Sequence, residues 1–122
     1  MARILVIDDN ASVAQSLGYF LEASGYEAVV ATSGRAGLQC ASEKGIDLVL
    51  LDIEMPDMSG FMVCRAILED PGLRHLPVVM MTGSHLQQAV LPARAAGART
   101  VMGKPFDLEE LQRTLNHCLG LA

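Results

Sequence analysis

Short, continuous apolar runs alternate along this chain with stretches in which apolar residues recur every third or fourth position. Arg3–Ile7 is a strand-like run that stops at Asp8-Asp9-Asn10. Val13, Leu17, Phe20 and Leu21 then fall on one face of a helix that Gly25 ends. Glu27–Ala31 reads as a second strand, and Ser33 opens a second helix with Leu38 and Ala41 inward, closed at Gly45. Ile46–Leu51 is a solid apolar strand ending at Asp52. Ser59-Gly60 opens a third helix carrying Phe61, Val63, Cys64, Ile67 and Leu68, and Asp70-Pro71-Gly72 makes a turn. Val78–Met81 is the fourth strand and ends at Thr82; a weaker helical pattern covers Leu86–Ala96. Arg99–Met102 is the fifth strand, followed by Gly103-Lys104-Pro105. Asp107 and Glu110 form a D-x-x-E capping box for a last helix bearing Leu108, Leu111, Leu115 and Leu119.

The order is strand–helix repeated five times. Strands that are apolar throughout, rather than alternating, belong to a parallel sheet covered on both faces. The expected fold is therefore α/β: a doubly wound (βα)5 five-stranded parallel sheet in a three-layer sandwich. With no linker, repeat or low-complexity stretch, residues 1–122 read as one domain. Pro92 fits poorly inside the fourth helical pattern, because its ring removes a backbone donor and crowds the preceding turn. That helix is expected to be kinked there or to start near Pro92.

Composition narrows the class. Hydrophobic residues make up 51% of the chain and mean hydropathy is +0.32, which argues against disorder. No apolar run approaches the roughly 18 residues of a membrane span, and the N-terminus lacks a signal-peptide pattern. The chain is therefore expected in the cytoplasm, with no membrane partner. Cys40, Cys64 and Cys118 show no ligand spacing and read as core or near-core thiols of a reducing compartment. His75, His85 and His117 read as exposed residues without a ligand role. A net charge of −5 argues against nucleic-acid binding through a basic surface.

The polar residues of interest all sit where strands end. In open α/β sheets ligands bind outside the carboxyl ends of the strands. Asp8-Asp9, Asp52, Thr82 and Lys104 would converge there. Taken singly, the acids read as caps or turn residues, the threonine as a loop hydroxyl and the lysine as a surface charge. Together they form an unlikely coincidence of types. Three close carboxylates repel one another and call for a cation, and a hard divalent ion with oxygen ligands, Mg²⁺, suits them. A carboxylate beside a metal, an ammonium and a hydroxyl is equipped for phosphoryl transfer to itself.

These residues, in their segments, resemble the receiver domains of response regulators, the CheY-like, flavodoxin-like family of two-component signalling. The resemblance rests on Ile4–Asp9, Asp47–Pro56, Ser59-Gly60, Pro77–Gly83, Ala96-Gly97-Ala98 and Lys104-Pro105-Phe106. It implies that Asp52 accepts a phosphoryl group from the phosphohistidine of a histidine kinase or phosphotransfer protein. It implies Asp8, Asp9 and Asp52 as the acids of the Mg²⁺ site, with Glu54 giving its backbone carbonyl. It further implies Thr82 as the switch hydroxyl, Lys104 as the ammonium that pairs with the phosphoryl group, and a Lys104–Pro105 peptide that is commonly cis. The domain would then autodephosphorylate, without turning over an external substrate. It would signal to an output protein or a second copy through the face of the fourth helix, fifth strand and fifth helix.

Three positions depart from the family pattern. Val101 stands where an aromatic residue is usual, Gly83 follows Thr82 in place of alanine, and Pro92 interrupts the fourth helix. All three lie on the output side, so an atypical rearrangement of residues 83–102 is expected. Other classes fit less well. A dehalogenase-type phosphatase needs its nucleophile on the first strand, and a flavin carrier needs a Ser/Thr/Gly-rich loop where Asp8-Asp9-Asn10 stands. A pseudo-receiver acting only as an interaction module would not need the complete acid–Thr–Lys set. Of the seven methionines, Met55, Met58 and Met102 flank the expected site and are candidates for partner contact.

Overall fold

The computed structural model describes every residue except Lys44, Ser84 and Ala122. Its elements are β1 (Arg3–Ile7), α1 (Ala11–Ala23), β2 (Glu27–Ala31), α2 (Gly34–Glu43), β3 (Leu48–Asp52), α3 (Gly60–Glu69), β4 (Val78–Thr82), α4 (Leu86–Ala96), β5 (Thr100–Gly103) and α5 (Leu108–Leu119). The five strands form one parallel sheet in the order β2-β1-β3-β4-β5. The order reverses direction between β1 and β3, which opens a crevice at their carboxyl ends.

Period-two alternation sorts the strand side chains between two apolar layers. Leu5, Ile7, Val49, Leu51, Val78 and Met80 face α2, α3 and α4. Ile4, Val6, Leu48, Leu50, Val79 and Met81 face α1 and α5, where they meet Leu17, Leu21, Leu111 and Leu115. The central strands β3 and β4 are buried along their whole length, as their unbroken apolar runs require.

Helix ends follow side-chain chemistry. Asn10 caps α1 through Val13 N–H, and Ser59 caps α3 through Met62 N–H. Ser33 bonds the Ala36 N–H at 3.1 Å, so it caps α2 rather than belonging to it. Asp107 caps α5 through Glu109 N–H at 2.8 Å, one position short of the Glu110 partner that a capping box would use. Gly97 and Gly120 close α4 and α5 in the left-handed conformation.

Several strand boundaries shift. Ile46 and Asp47 precede β3, and β3 takes in Asp52 instead of stopping at Leu51. The fifth strand begins at Thr100 rather than Arg99. The expectation that the fourth helix starts near Pro92 fails: α4 begins at Leu86 and continues through Pro92 to Ala96. Pro92 lies on the exposed side, as does Gln88, whose carbonyl loses its helical donor. Water can satisfy that carbonyl, so the helix tolerates the ring. Met102 is buried against the α1–α5 layer and is withdrawn as a partner contact. Cys64 is buried and donates to the Ala96 carbonyl at 3.4 Å, with burial pushing its thiol up to about 11. Cys40 and Cys118 are half-buried, and all three thiols are free.

Gly60 marks the closest approach in the scaffold. A Cβ there would lie 2.5 Å from the Asp52 carbonyl oxygen and 2.7 Å from Ile53 Cα, both backbone atoms that cannot yield. Around Gly83, by contrast, nothing lies within 4 Å of such a Cβ. Gly60→Ala is expected to cost about 1–3 kcal/mol in urea unfolding. Gly83→Ala should stay within about 0.5 kcal/mol of the parent.

Candidate functional site: an acid pocket at the sheet's carboxyl edge

The crevice gathers residues from four strand ends. Asp8 and Asp9 follow β1, Asp52 ends β3, Thr82 ends β4 and Lys104 follows β5. Ladder hydrogen bonds fix their offsets: Ile53 N–H donates to the Met81 carbonyl at 2.9 Å and Lys104 N–H to the Thr82 carbonyl at 2.7 Å. Among the described residues, Asp8, Asp52 and Thr82 are the buried polar ones, at 1%, 4% and 1% exposure. Asp9 and Glu54 lie exposed at the rim.

Lys104 ties the pocket together. Its Nζ lies 2.9 Å from Asp8 Oδ2 and 3.4 Å from Asp52 Oδ1. The second oxygen of Asp8 accepts from Asn10 N–H at 3.0 Å, which orients the carboxylate from both sides. One carboxylate oxygen from each of Asp8, Asp9 and Asp52 lies within 4.8 Å of the others. That donor set, all hard oxygens and more negative than one ammonium can balance, fits a divalent cation.

The electrostatics match this excess of negative charge. Burial pushes the Asp52 carboxyl up to about 6; Asp8 and Glu54 add to the rise, while Lys104 opposes it. For Lys104, partial burial favours the neutral amine. The hydrogen bond to Asp8 and the charges of Asp52 and Asp8 outweigh it, so its pKa ends above the usual lysine value.

Glu54 has a side-chain partner that its expected backbone role does not involve. Thr82 Oγ1 donates to Glu54 Oε2 at 2.9 Å, and Gly83 N–H donates to Glu54 Oε1 at 3.1 Å. Asp57, which the sequence reading passed over, accepts from Gly34 N–H at 3.1–3.2 Å and Arg35 N–H at 3.4 Å. It thereby anchors the β3–α3 loop to the start of α2, and the Gly34 bond leads in holding its carboxyl below the ordinary value. The signal was a second acid in that loop, but its target lies more than twenty residues back in the chain. The Lys104–Pro105 peptide is cis.

A doubly wound parallel sheet with three acids, a threonine and a lysine at its carboxyl edge defines a class of phosphoryl-handling α/β domains. Comparison with known proteins narrows it. Residues 4–116 match the response regulator receiver domain family. The chain is 34% identical to protein PilH of Pseudomonas aeruginosa over 120 residues, covering 98% of this chain and 99% of PilH. It is 39% identical over 106 residues to the response regulator PleD of Caulobacter vibrioides, covering 87% of this chain but 23% of PleD. The crystal structure of the Vibrio cholerae chemotaxis protein CheY4 superposes with a TM-score of 0.91 at 32% identity, covering 98% of this chain and 99% of that one. The chain belongs to the response regulator receiver domain family of two-component systems. Receiver domains are switch domains rather than classic enzymes. Among the described residues no helix is long and apolar enough to cross a membrane.

The raised Asp52 pKa makes a stability prediction. The folded protein holds this proton more tightly than the unfolded chain, whose aspartate titrates near 3.8. Asp52 therefore costs nothing below that value, and its ionisation costs progressively more stability as pH rises through about 6. In the presence of a chelator, Asp52→Asn is expected to exceed the parent by up to about 3 kcal/mol at pH 7.5 and to match it near pH 4. Denaturant melts across that range check it, and added Mg²⁺ should close the gap.

Proposed function

We propose that this receiver domain takes a phosphoryl group onto Asp52 from the phosphohistidine of a histidine kinase or phosphotransfer protein. The observation that carries the reading is the buried Asp52 carboxylate at the end of β3 with Lys104 Nζ 3.4 Å away. Asp52 Oδ attacks phosphorus as the donor's N–P bond breaks, and the imidazole leaves with the electron pair. Lys104, already between Asp8 and Asp52, neutralises charge on the phosphoryl oxygens. Thr82 supplies a hydroxyl donor from the neighbouring strand. Asp8, Asp9 and Asp52, with the Glu54 carbonyl, would hold Mg²⁺, which would supply the remaining positive charge. Water later cleaves the acyl phosphate, which resets the switch.

An open, largely apolar cleft of about 710 Å³ runs from Phe20 and Leu17 on α1 to Phe106 and Lys104. It supports access by a protein donor. Output is read on the α4–β5–α5 face, by a downstream protein or a second copy of this chain. Val101 is half-buried there against the core, with no ring to swing. The signal therefore travels from Thr82 through the Gly83 turn into α4. Phosphorylation is expected to move amide resonances of residues 83–102; unchanged shifts there would exclude this face as the output.

Acetyl phosphate with and without Mg²⁺, read by intact mass, tests the acceptor. The expected result is a Mg²⁺-dependent gain of one phosphoryl group that Asp52→Ala abolishes. Lys104→Ala should slow the gain roughly 10²-fold while keeping the native circular dichroism spectrum. No gain under any condition would leave the domain as a binding module with the same fold.

A further inference from the structure

The pocket contains a contact that phosphorylation has to break. A threonine hydroxyl carries one proton and can donate one hydrogen bond. Here Thr82 spends that proton on Glu54 Oε2 at 2.9 Å, and the adjacent Gly83 N–H goes to Glu54 Oε1 at 3.1 Å. Both oxygens of one carboxylate thus occupy the two donors that border the acceptor on the β4 side. Thr82 is buried, whereas Glu54 is exposed on the loop that follows Asp52. The exposed partner can swing into water at little cost; the buried one cannot.

We propose that Glu54 is a positioning residue: an internal anion that latches Thr82 and Gly83 until a phosphoryl group on Asp52 displaces it. The proposal rests on Asp52 being the acceptor. The exchange is anion for anion. A phosphoryl oxygen accepts the Thr82 hydrogen bond in its place, and the displaced Glu54 carboxylate leaves a pocket already crowded by Asp8, Asp9 and Asp52. Repulsion from the incoming charge favours that departure. Asp57 on the same loop provides the contrast, because its carboxylate grips the first N–H groups of α2. Asp57 braces the loop, while Glu54 withholds donors.

The test titrates beryllofluoride with Mg²⁺, as a mimic of the aspartyl phosphoryl group, into isotope-labelled protein and follows the Gly83 amide. Saturation should move that resonance in the parent, and Glu54→Ala should move it before any mimic is added. Glu54→Ala should bind the mimic about tenfold more tightly, the worth of a charge-assisted hydrogen bond no longer broken. Glu54→Gln, which keeps shape and one acceptor oxygen, should fall between. Most of the gain should vanish in a Thr82→Val background, and Asp57→Ala should bind like the parent. Equal or weaker binding by Glu54→Ala overturns the latch and leaves the acceptor standing. A gain undiminished by Thr82→Val also overturns it, since it would report charge repulsion alone. Failure of both parent and Glu54→Ala to bind the mimic would remove the acceptor and the latch together.

Discussion

The ion triad of Asp8, Lys104 and Asp52 is the constraint around which the molecule is arranged. Two carboxylates almost fully removed from water share one ammonium, at 2.9 and 3.4 Å. A buried charge without such a partner would be strongly disfavoured. The pairing does not complete the balance, because Asp9 and Glu54 bring further negative charge to the same edge. Asp52 responds with a carboxyl whose pKa is pushed up to about 6 by burial and by its acidic neighbours, against the pull of Lys104. The pocket is thus built to receive positive charge and is unsettled without it. That imbalance is the physical basis of a switch, since whatever binds there changes the relative energies of the surrounding loops.

The scaffold holds those loops by different means. On the β3 side Gly60 lets α3 press against the backbone of Asp52 and Ile53, and Asp57 ties the loop to α2. Asp52 is therefore held on a stiff element. On the β4 side the turn after Thr82 has open space at Gly83 and is held to the site by the Glu54 carboxylate. The β3 side is thus braced by backbone packing, and the β4 side is held by two hydrogen bonds to one exposed carboxylate. Pro92 and the valine at 101 lie further along the chain from that turn, where the family's aromatic relay has no counterpart.

Membership of the receiver family explains why the acids, the threonine and the lysine occupy strand ends. It does not explain what is particular here. PilH and CheY4 share the whole length of this chain, whereas PleD carries the same module within a much longer protein. The module therefore makes up nearly all of some chains and about a quarter of another, and the surface that reads the switch has to be argued from this chain's own residues.

The chain order of elements, their types and the strand-end location of the polar residues were legible in the sequence. Apolar periodicity reports burial locally, and short linkers leave a strand–helix repeat few topologies. Even the burial of Asp52 could be anticipated from the apolar run it terminates. The sequence did not reveal the offsets between strands, because register is set by pairing partners far apart in the chain. It left the exact end of β3 open, and it offered a helix start near Pro92 that the structure does not show. Nor could it show that Glu54 turns its side chain onto Thr82 and Gly83, or that Asp57 reaches back to Gly34. Local pattern determines which residues stand at the mouth of the sheet. Which of them share a proton or a charge is decided only by folding, since hydrogen bonds depend on distances of a few tenths of an ångström between segments that the sequence keeps apart.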